Sequence, residues 1–243
     1  MNPFCIDRDC NAIIISNRAD RKIFSLFESM GIMTIETIDN PSLPKPVADH
    51  PDMSIHPVRK DLFVIDPMVY DYYYEKLSPY RIEIIKASKN LGERYPHDCR
   101  LNISRIKNYY IHNSYSDPLL SNLFELESFK KIEVKQGYCK CSTLIINCDT
   151  IVTSDKGIYK SLLKNNINSF LIPPGFIKLE GYEYGFIGGV GGLIGSKRLF
   201  LSGDPNEFLY GNDLINILNK YSIEPIYVKG LPFVDIGSII CIL

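Results

Sequence analysis

Ser142-Thr-Leu-Ile-Ile-Asn-Cys-Asp-Thr-Ile-Val-Thr-Ser-Asp155 holds two apolar runs of strand-forming residues around the polar turn Asn147-Cys-Asp149, and it closes on an aspartate suited to start a helix. The texture recurs in Asp52-Met-Ser-Ile-His-Pro-Val-Arg-Lys-Asp-Leu-Phe-Val-Ile-Asp66, in Asp98-Cys-Arg-Leu-Asn-Ile-Ser-Arg-Ile-Lys-Asn-Tyr-Tyr-Ile-His112, and in the glycine-rich stretch Gly189 to Asp204. A fifth copy, Asp235-Ile-Gly-Ser-Ile-Ile-Cys-Ile-Leu243, stops inside its hairpin. The starts lie roughly 44 to 48 residues apart, a period that belongs to rings and solenoids.

Segments of helical period follow the hairpins. Asp20 to Met30 puts Ile23, Phe24, Phe27 and Met30 on one face. Asp117 to Phe129, Asp155 to Asn165 and Asn206 to Tyr221 do likewise. A short strand comes after each: Ile32 to Ile38, Ile82 to Ile85, Lys131 to Val134, Ser169 to Ile172 and Ile223 to Val228. The unit is strand-strand-helix-strand, five times over. Ala12-Ile-Ile-Ile-Ser16 has no hairpin partner nearby, so it is expected to pair with the C-terminal strand and leave no open sheet edge. The expectation is one domain spanning residues 1–243.

Composition narrows the function classes. The chain has 243 residues, 45% hydrophobic and 23% charged, with net charge -1. That charge offers no lure to nucleic acid or anionic lipid. No apolar run is long enough to span a bilayer. The segment Met1 to Asp9 lacks the basic and apolar regions of a signal peptide, so a cytoplasmic protein with its seven cysteines reduced is expected. The wealth of Ile, Lys, Asn and Tyr fits a bacterial source. Gly189-x-Gly191 precedes a strand rather than a helix and lacks the lysine of a phosphate loop, so no nucleotide is expected. Cys139-x-Cys141 is too short a spacing to argue for zinc, and no cofactor or metal is expected.

Five such units, with Cys241 on a glycine-bearing last strand, resemble the pentein fold, the five-bladed α/β propeller of guanidine-group-modifying enzymes: arginine and agmatine deiminases, dimethylarginine hydrolases and amidinotransferases. The stretches His50-Pro-Asp-Met53, Gly137-Tyr-Cys-Lys-Cys-Ser142 and Gly185-Phe-Ile-Gly-Gly-Val-Gly-Gly192 resemble uncharacterised bacterial proteins of that fold. The resemblance implies a central channel, reached by the start of each hairpin, that takes a small cationic or polar molecule. It implies Cys241 as a nucleophile and Asp52 as a carboxylate gripping the substrate. The family's glutamate in the third repeat is replaced by Cys139-Lys140-Cys141-Ser142, and its His-x-Asp/Glu in the fourth by Phe186-Ile-Gly-Gly189. His50 and His97 are the candidates for the missing proton shuttle, since that role depends on geometry and not on chain order. Asp98 and Asp235 share the repeat station of Asp52, and Cys141, Glu180 and Tyr184 complete the candidate substrate contacts. Two functions fit: a divergent cysteine hydrolase or deiminase acting on a guanidine, amidine or related C–N bond, or a non-catalytic pentein that binds a small molecule or a protein or ribosomal partner. Oligomeric state is not legible.

Overall fold

The computed structural model describes residues 2–243. The chain runs β1 (Ala12–Ile15), α1 (Arg21–Ser29), β2 (Met33–Glu36), α2 (Pro51–Ser54), β3 (Ile55–Arg59), β4 (Leu62–Ile65), α3 (Tyr70–Leu77) and β5 (Glu83–Lys86). It continues through β6 (Ser104–Ile106), β7 (Tyr109–His112), α4 (Pro118–Leu126), β8 (Lys130–Glu133), β9 (Thr143–Asn147), β10 (Thr150–Thr153), α5 (Lys156–Lys164) and β11 (Asn168–Leu171). The fourth repeat holds β12 (Gly191–Gly195), β13 (Arg198–Leu201), α6 (Gly211–Lys220) and β14 (Glu224–Ile226), and β15 (Ile240–Ile242) follows.

These strands form five three-stranded sheets, each with one antiparallel and one parallel neighbour pair. The hairpin supplies the antiparallel pair, and the helix is the crossover that a parallel partner requires. The first sheet is assembled from both ends of the chain: β1 runs parallel to β2 and antiparallel to β15, with Ala12 opposite Ile242 and Ile13 opposite Cys241. Both chain ends are thereby tied into one sheet, as the unpaired first strand required.

An aspartate follows the second strand of every unit. Asp20, Asp117 and Asp155 cap α1, α4 and α5 by accepting from Lys22, Leu119 and Ile158 backbone N–H at 2.8, 2.9 and 2.8 Å. Asp66 accepts from Met68 N, and Asp204 from Asn206 N, at 2.9 Å each. A cap of this kind contributes about 1 kcal/mol and sets where the strand ends and the helix starts. The helix expected from Asn206 begins later: Pro205–Glu207 forms a short 3-10 turn, and α6 starts at Gly211. Apolar helix faces such as Ile23 and Phe27, or Ile158 and Leu162, close over the central strands, whose residues are buried on both faces.

The cysteines differ from expectation. Cys5 and Cys148 form a disulfide across a sequence separation of 143, so not all seven are reduced, and these two are not inert. The turn after β9 and the segment before β1 are brought together by the ring, which no local pattern records. No helix of the described residues is long and apolar enough to cross a membrane.

Candidate functional site

The residues just ahead of each hairpin meet around the axis. Asp52 stands three residues before β3; Asn102, Cys141, Gly189 and Ser238 stand two before β6, β9, β12 and β15. Hydrogen bonds link them in a closed belt. Asp52 N–H donates to Gly237 O at 3.3 Å, and Asn102 Nδ2 donates to Asp52 O at 3.1 Å. The Asn102 side-chain oxygen accepts from the backbone N–H of Lys140 (2.8 Å) and of Cys141 (3.1 Å). Gly188 N–H donates to Cys141 O at 2.7 Å, and Ser238 N–H returns to Gly189 O at 2.9 Å. A Cβ on Gly189 would collide with the Asp235 carboxylate, and one on Gly188 with the backbone carbonyls of Lys140, Cys141 and Thr143. This is why the fourth repeat is glycine where its counterparts carry side chains.

Three polar pairs sit on this belt. The Cys141 thiol donates to Asp52 Oδ2 at 3.2 Å and its sulfur accepts from Asn102 Nδ2 at 3.0 Å. Asp52 Oδ1 is buried without a hydrogen-bond partner. Burial pushes the Asp52 carboxyl up to about 6, opposed by the Lys140 and His50 charges. Burial also drives the Cys141 thiol well above its usual range, and the Asp52 and Asp235 carboxylates add to the shift. The second pair is His50 and Asp235, with Nδ1 3.8 Å from Oδ1. Asp235 accepts backbone N–H bonds from Phe186 (2.8 Å) and Gly237 (3.0 Å), which fix its orientation. The third is Lys140, whose ammonium donates to Ser238 Oγ at 2.7 Å and to Gly188 O at 3.4 Å. Burial lowers the Lys140 pKa while Asp52, Cys141 and Asp235 hold it up.

A cavity of about 130 Å³ opens beside the belt. His50, Cys141 and Asp235 form its polar floor; Met53, Tyr138 and Phe186 are among its apolar walls, and Tyr184 stands at its rim. Asp98 acts one layer back, accepting from Tyr138 Oη at 2.5 Å. Glu180 lies outside, exposed, on the loop that carries Leu179 and Tyr182 over the cavity.

Cys241 and His97 stand elsewhere. The Cys241 thiol donates to Leu193 O at 2.9 Å, and its bond with the Cys10 thiol, then burial, raise its pKa well above the usual range. It is half-buried and borders a separate small void shared with Phe4, Lys140 and Ser238. His97 is exposed, with Nδ1 2.6 Å from Arg100 Nη2 and its ring edge-on to Tyr115. The structure brings His50, Asp52, Cys141 and Asp235 together, with Asp98 and Tyr184 beside them. Asn102, Tyr138 and Ser238 also belong to the site and were not among the sequence candidates. The repeat register could have supplied Asn102 and Ser238, because they occupy the stations of Asp52 and Cys141. Among the described residues no three His, Cys, Asp or Glu side chains converge as a metal set would.

Five strand-strand-helix-strand units around a belt of hairpin starts are the pentein fold, and solved structures share it. An amidinotransferase from Microseira wollei, of a saxitoxin biosynthetic pathway, superposes with a TM-score of 0.59 at 8% identity, covering 93% of this chain and 91% of its own. An inosamine-phosphate amidinotransferase from Streptomyces griseus gives 0.58 at 10% identity, covering 98% and 95%. DDAH from Pseudomonas aeruginosa, in complex with citrulline, gives 0.56 at 9% identity, covering 91% and 92%. No curated protein sequence matches. The chain belongs to the family described as "Family of unknown function (DUF6873)", whose model matches residues 14–240.

Proposed function

We propose that this protein acts on a small amidine, guanidine or related C–N cation held in the cavity beside the belt, with Cys141 as the thiol that attacks it. The observation that carries the reading is the Cys141–Asp52 hydrogen bond of 3.2 Å at the floor of a cavity that His50 and Asp235 also line. A planar cation between aromatic walls and the Asp235 carboxylate is recognised by charge and by ring faces. Burial keeps the thiol protonated, while Asp52, at about 6, is mostly a carboxylate at neutral pH and free to accept the thiol proton; a bound cation favours the thiolate.

The step balances within the site. The thiol proton passes to Asp52 as the sulfur electron pair forms an S–C bond to the amidinium carbon, and the C=N π pair moves onto nitrogen. The C–N bond then breaks with its electron pair leaving on the amine, which takes a proton from His50. Water adds to the resulting thioimidate-type carbon and its proton returns to His50; the tetrahedral species then collapses, the sulfur leaving with the electron pair and taking back the proton held on Asp52 while the hydroxyl proton of the new carbonyl passes to solvent.

A second reading, binding without turnover, is favoured by Lys140: an internal ammonium already sits against Ser238 in the channel. The two readings share the ligand and differ in product release.

The test is alkylation by 2-chloroacetamidine, read by peptide mass mapping in the wild type, Cys141→Ser and Cys241→Ser. Relative to glutathione, the amidinium reagent is expected to modify Cys141 about tenfold faster than chloroacetamide does, a ratio equal to about 1.4 kcal/mol of charge recognition. Modification of Cys241 in preference to Cys141 returns the nucleophile to the last strand. Equal rates for the charged and neutral reagents sink the cation site. Ammonia or amine release from unreactive amidines separates turnover from binding.

A further inference from the structure

The belt has a second approach, on a side that the cavity does not reach. A small void there is lined by Lys140 and Ser238 of the belt, by Cys241, and by Pro3 and Phe4 of the N-terminal segment, and it shares no lining residue with the cavity. The Lys140 ammonium lies 5.5 Å from the centroid of the Phe4 ring, which also meets the His56 ring edge-on at 5.7 Å. Lys140 itself is 4% exposed. The segment that carries Phe4 is folded on itself, with Asn2 Oδ1 accepting from Phe4 N–H and Asn2 O from Cys5 N–H at 3.0 Å each. Two fastenings join it to the ring: Asn2 Nδ2 donates to Arg105 O at 3.1 Å, and Cys5 is bonded to Cys148. A single hydrogen bond and ring contacts do not offset the entropy of ordering residues 2–5. The covalent bond therefore decides whether Phe4 stays against Lys140. That bond is lopsided. Cys5 is 6% exposed, whereas Cys148 stands exposed in the turn between β9 and β10, so a nucleophile is admitted to Cys148 Sγ.

We infer that Cys5–Cys148 is a redox site, reduced by a dithiol, and that its opening lets the Pro3–Phe4 plug leave and uncovers Lys140 from the side away from the cavity. The inference does not depend on the amidine reading. A thiolate of the dithiol attacks Cys148 Sγ, and the S–S bond breaks with its electron pair on the Cys5 sulfur, which takes a proton. The second sulfur of the dithiol, deprotonated, then displaces the Cys148 sulfur, which is protonated in turn. Two electrons and two protons pass to the protein, and the dithiol is left as a cyclic disulfide. Ile6, buried in the core, holds the chain as the plug moves.

The test is reductive methylation of lysines by formaldehyde and an amine–borane, read by peptide mass mapping against the exposed Lys60. The samples are the disulfide-bonded wild type, the wild type reduced by dithiothreitol without denaturant and then freed of it, Cys148→Ser, and Phe4→Ala with the disulfide intact. Lys140 is expected to react about tenfold faster in the last three than in the first, as a local opening requires. Cys99, 0% exposed in the second repeat, should resist N-ethylmaleimide in all four. A disulfide that survives dithiothreitol in the native protein overturns the redox site. A Lys140 rate unchanged by reduction and by Cys148→Ser overturns the plug, and a rate unchanged in Phe4→Ala removes Phe4 as its cover. Cys99 labelling that rises in step with Lys140 shows general loosening, and the local device falls.

Discussion

The Lys140 ammonium meets the Ser238 hydroxyl at 2.7 Å inside the belt, joining the third repeat to the last across the channel. Ser238 Oγ in turn donates to Gly191 O at 3.0 Å, so the contact reaches the fourth repeat as well. The ammonium lies within the influence of Asp52 and Asp235, and it offsets carboxylate charge that would otherwise be enclosed and unpaired.

Removing that cation while keeping its stem is expected to be costly. Lys140→Met should lose about 3–5 kcal/mol, the usual effect of leaving one partner of a buried pair. Adding Asp52→Asn to it should recover part of the loss. Urea unfolding of the two single variants and the double variant measures both effects, and strict additivity would show that the charges do not interact.

Asn102 is the belt's keystone, because one side chain serves the second, first and third repeats at once. Asn102→Ala deprives Asp52 O, Lys140 N–H and Cys141 N–H of their partners at a fully buried position. Each orphaned group costs on the order of 1–3 kcal/mol, so a loss of about 3 kcal/mol or more in unfolding free energy is expected, well above that of an exposed Asn such as Asn206.

Stability should fall as pH rises past the acid range because of Asp52. Its folded-state pKa of about 6 lies above the ordinary aspartate value of 3.8, so the native state binds more protons than the unfolded chain between those values. The favourable contribution is complete below 3.8 and is lost as pH rises to about 6, amounting to about 3 kcal/mol at 1.36 kcal/mol per unit. Urea midpoints between pH 4.5 and 7 should show this slope in the wild type and its absence in Asp52→Asn.

The Cys5–Cys148 bond anchors the segment whose Phe4 lines the same small void as Cys241 and Lys140. Reduction, or Cys148→Ser, should lower stability by about 2–4 kcal/mol and speed the labelling of the half-buried Cys241 by iodoacetamide. Peptide mapping with and without reductant follows both. Unchanged Cys241 labelling in the reduced protein would show that the segment stays seated without its tether.

The repeat was legible because its information is local. Hairpin turns, helix faces and the recurring aspartate caps are set by neighbouring residues, and the unpaired first strand left only one place for its partner. The pentein architecture and the approximate strand and helix positions followed from those signals. The helix expected from Asn206 starts at Gly211 instead, since Asp204 caps a 3-10 turn before it.

The site was legible only in outline. Spacing suggested one station for Asp52, Asp98 and Asp235, but the structure gives that station to Asp52, Asn102 and Ser238, with Asp98 and Asp235 lying further from their strands. Asp235 turns to the backbone N–H groups of Phe186 and Gly237, Asp98 turns to Tyr138, and Asp52 alone meets a thiol. Which sulfur faces the cavity was likewise beyond the sequence: Cys141 lies beside His50, while the Cys241 thiol neighbours Cys10 and borders a separate void with an N-terminal segment whose position depends on a contact 143 residues away. Sequence alone determined the ring, because ring formation follows from periodic local structure. Only tertiary structure decided the chemistry at its centre, because the five stations that create it are far apart in the chain and become neighbours only when the repeats close.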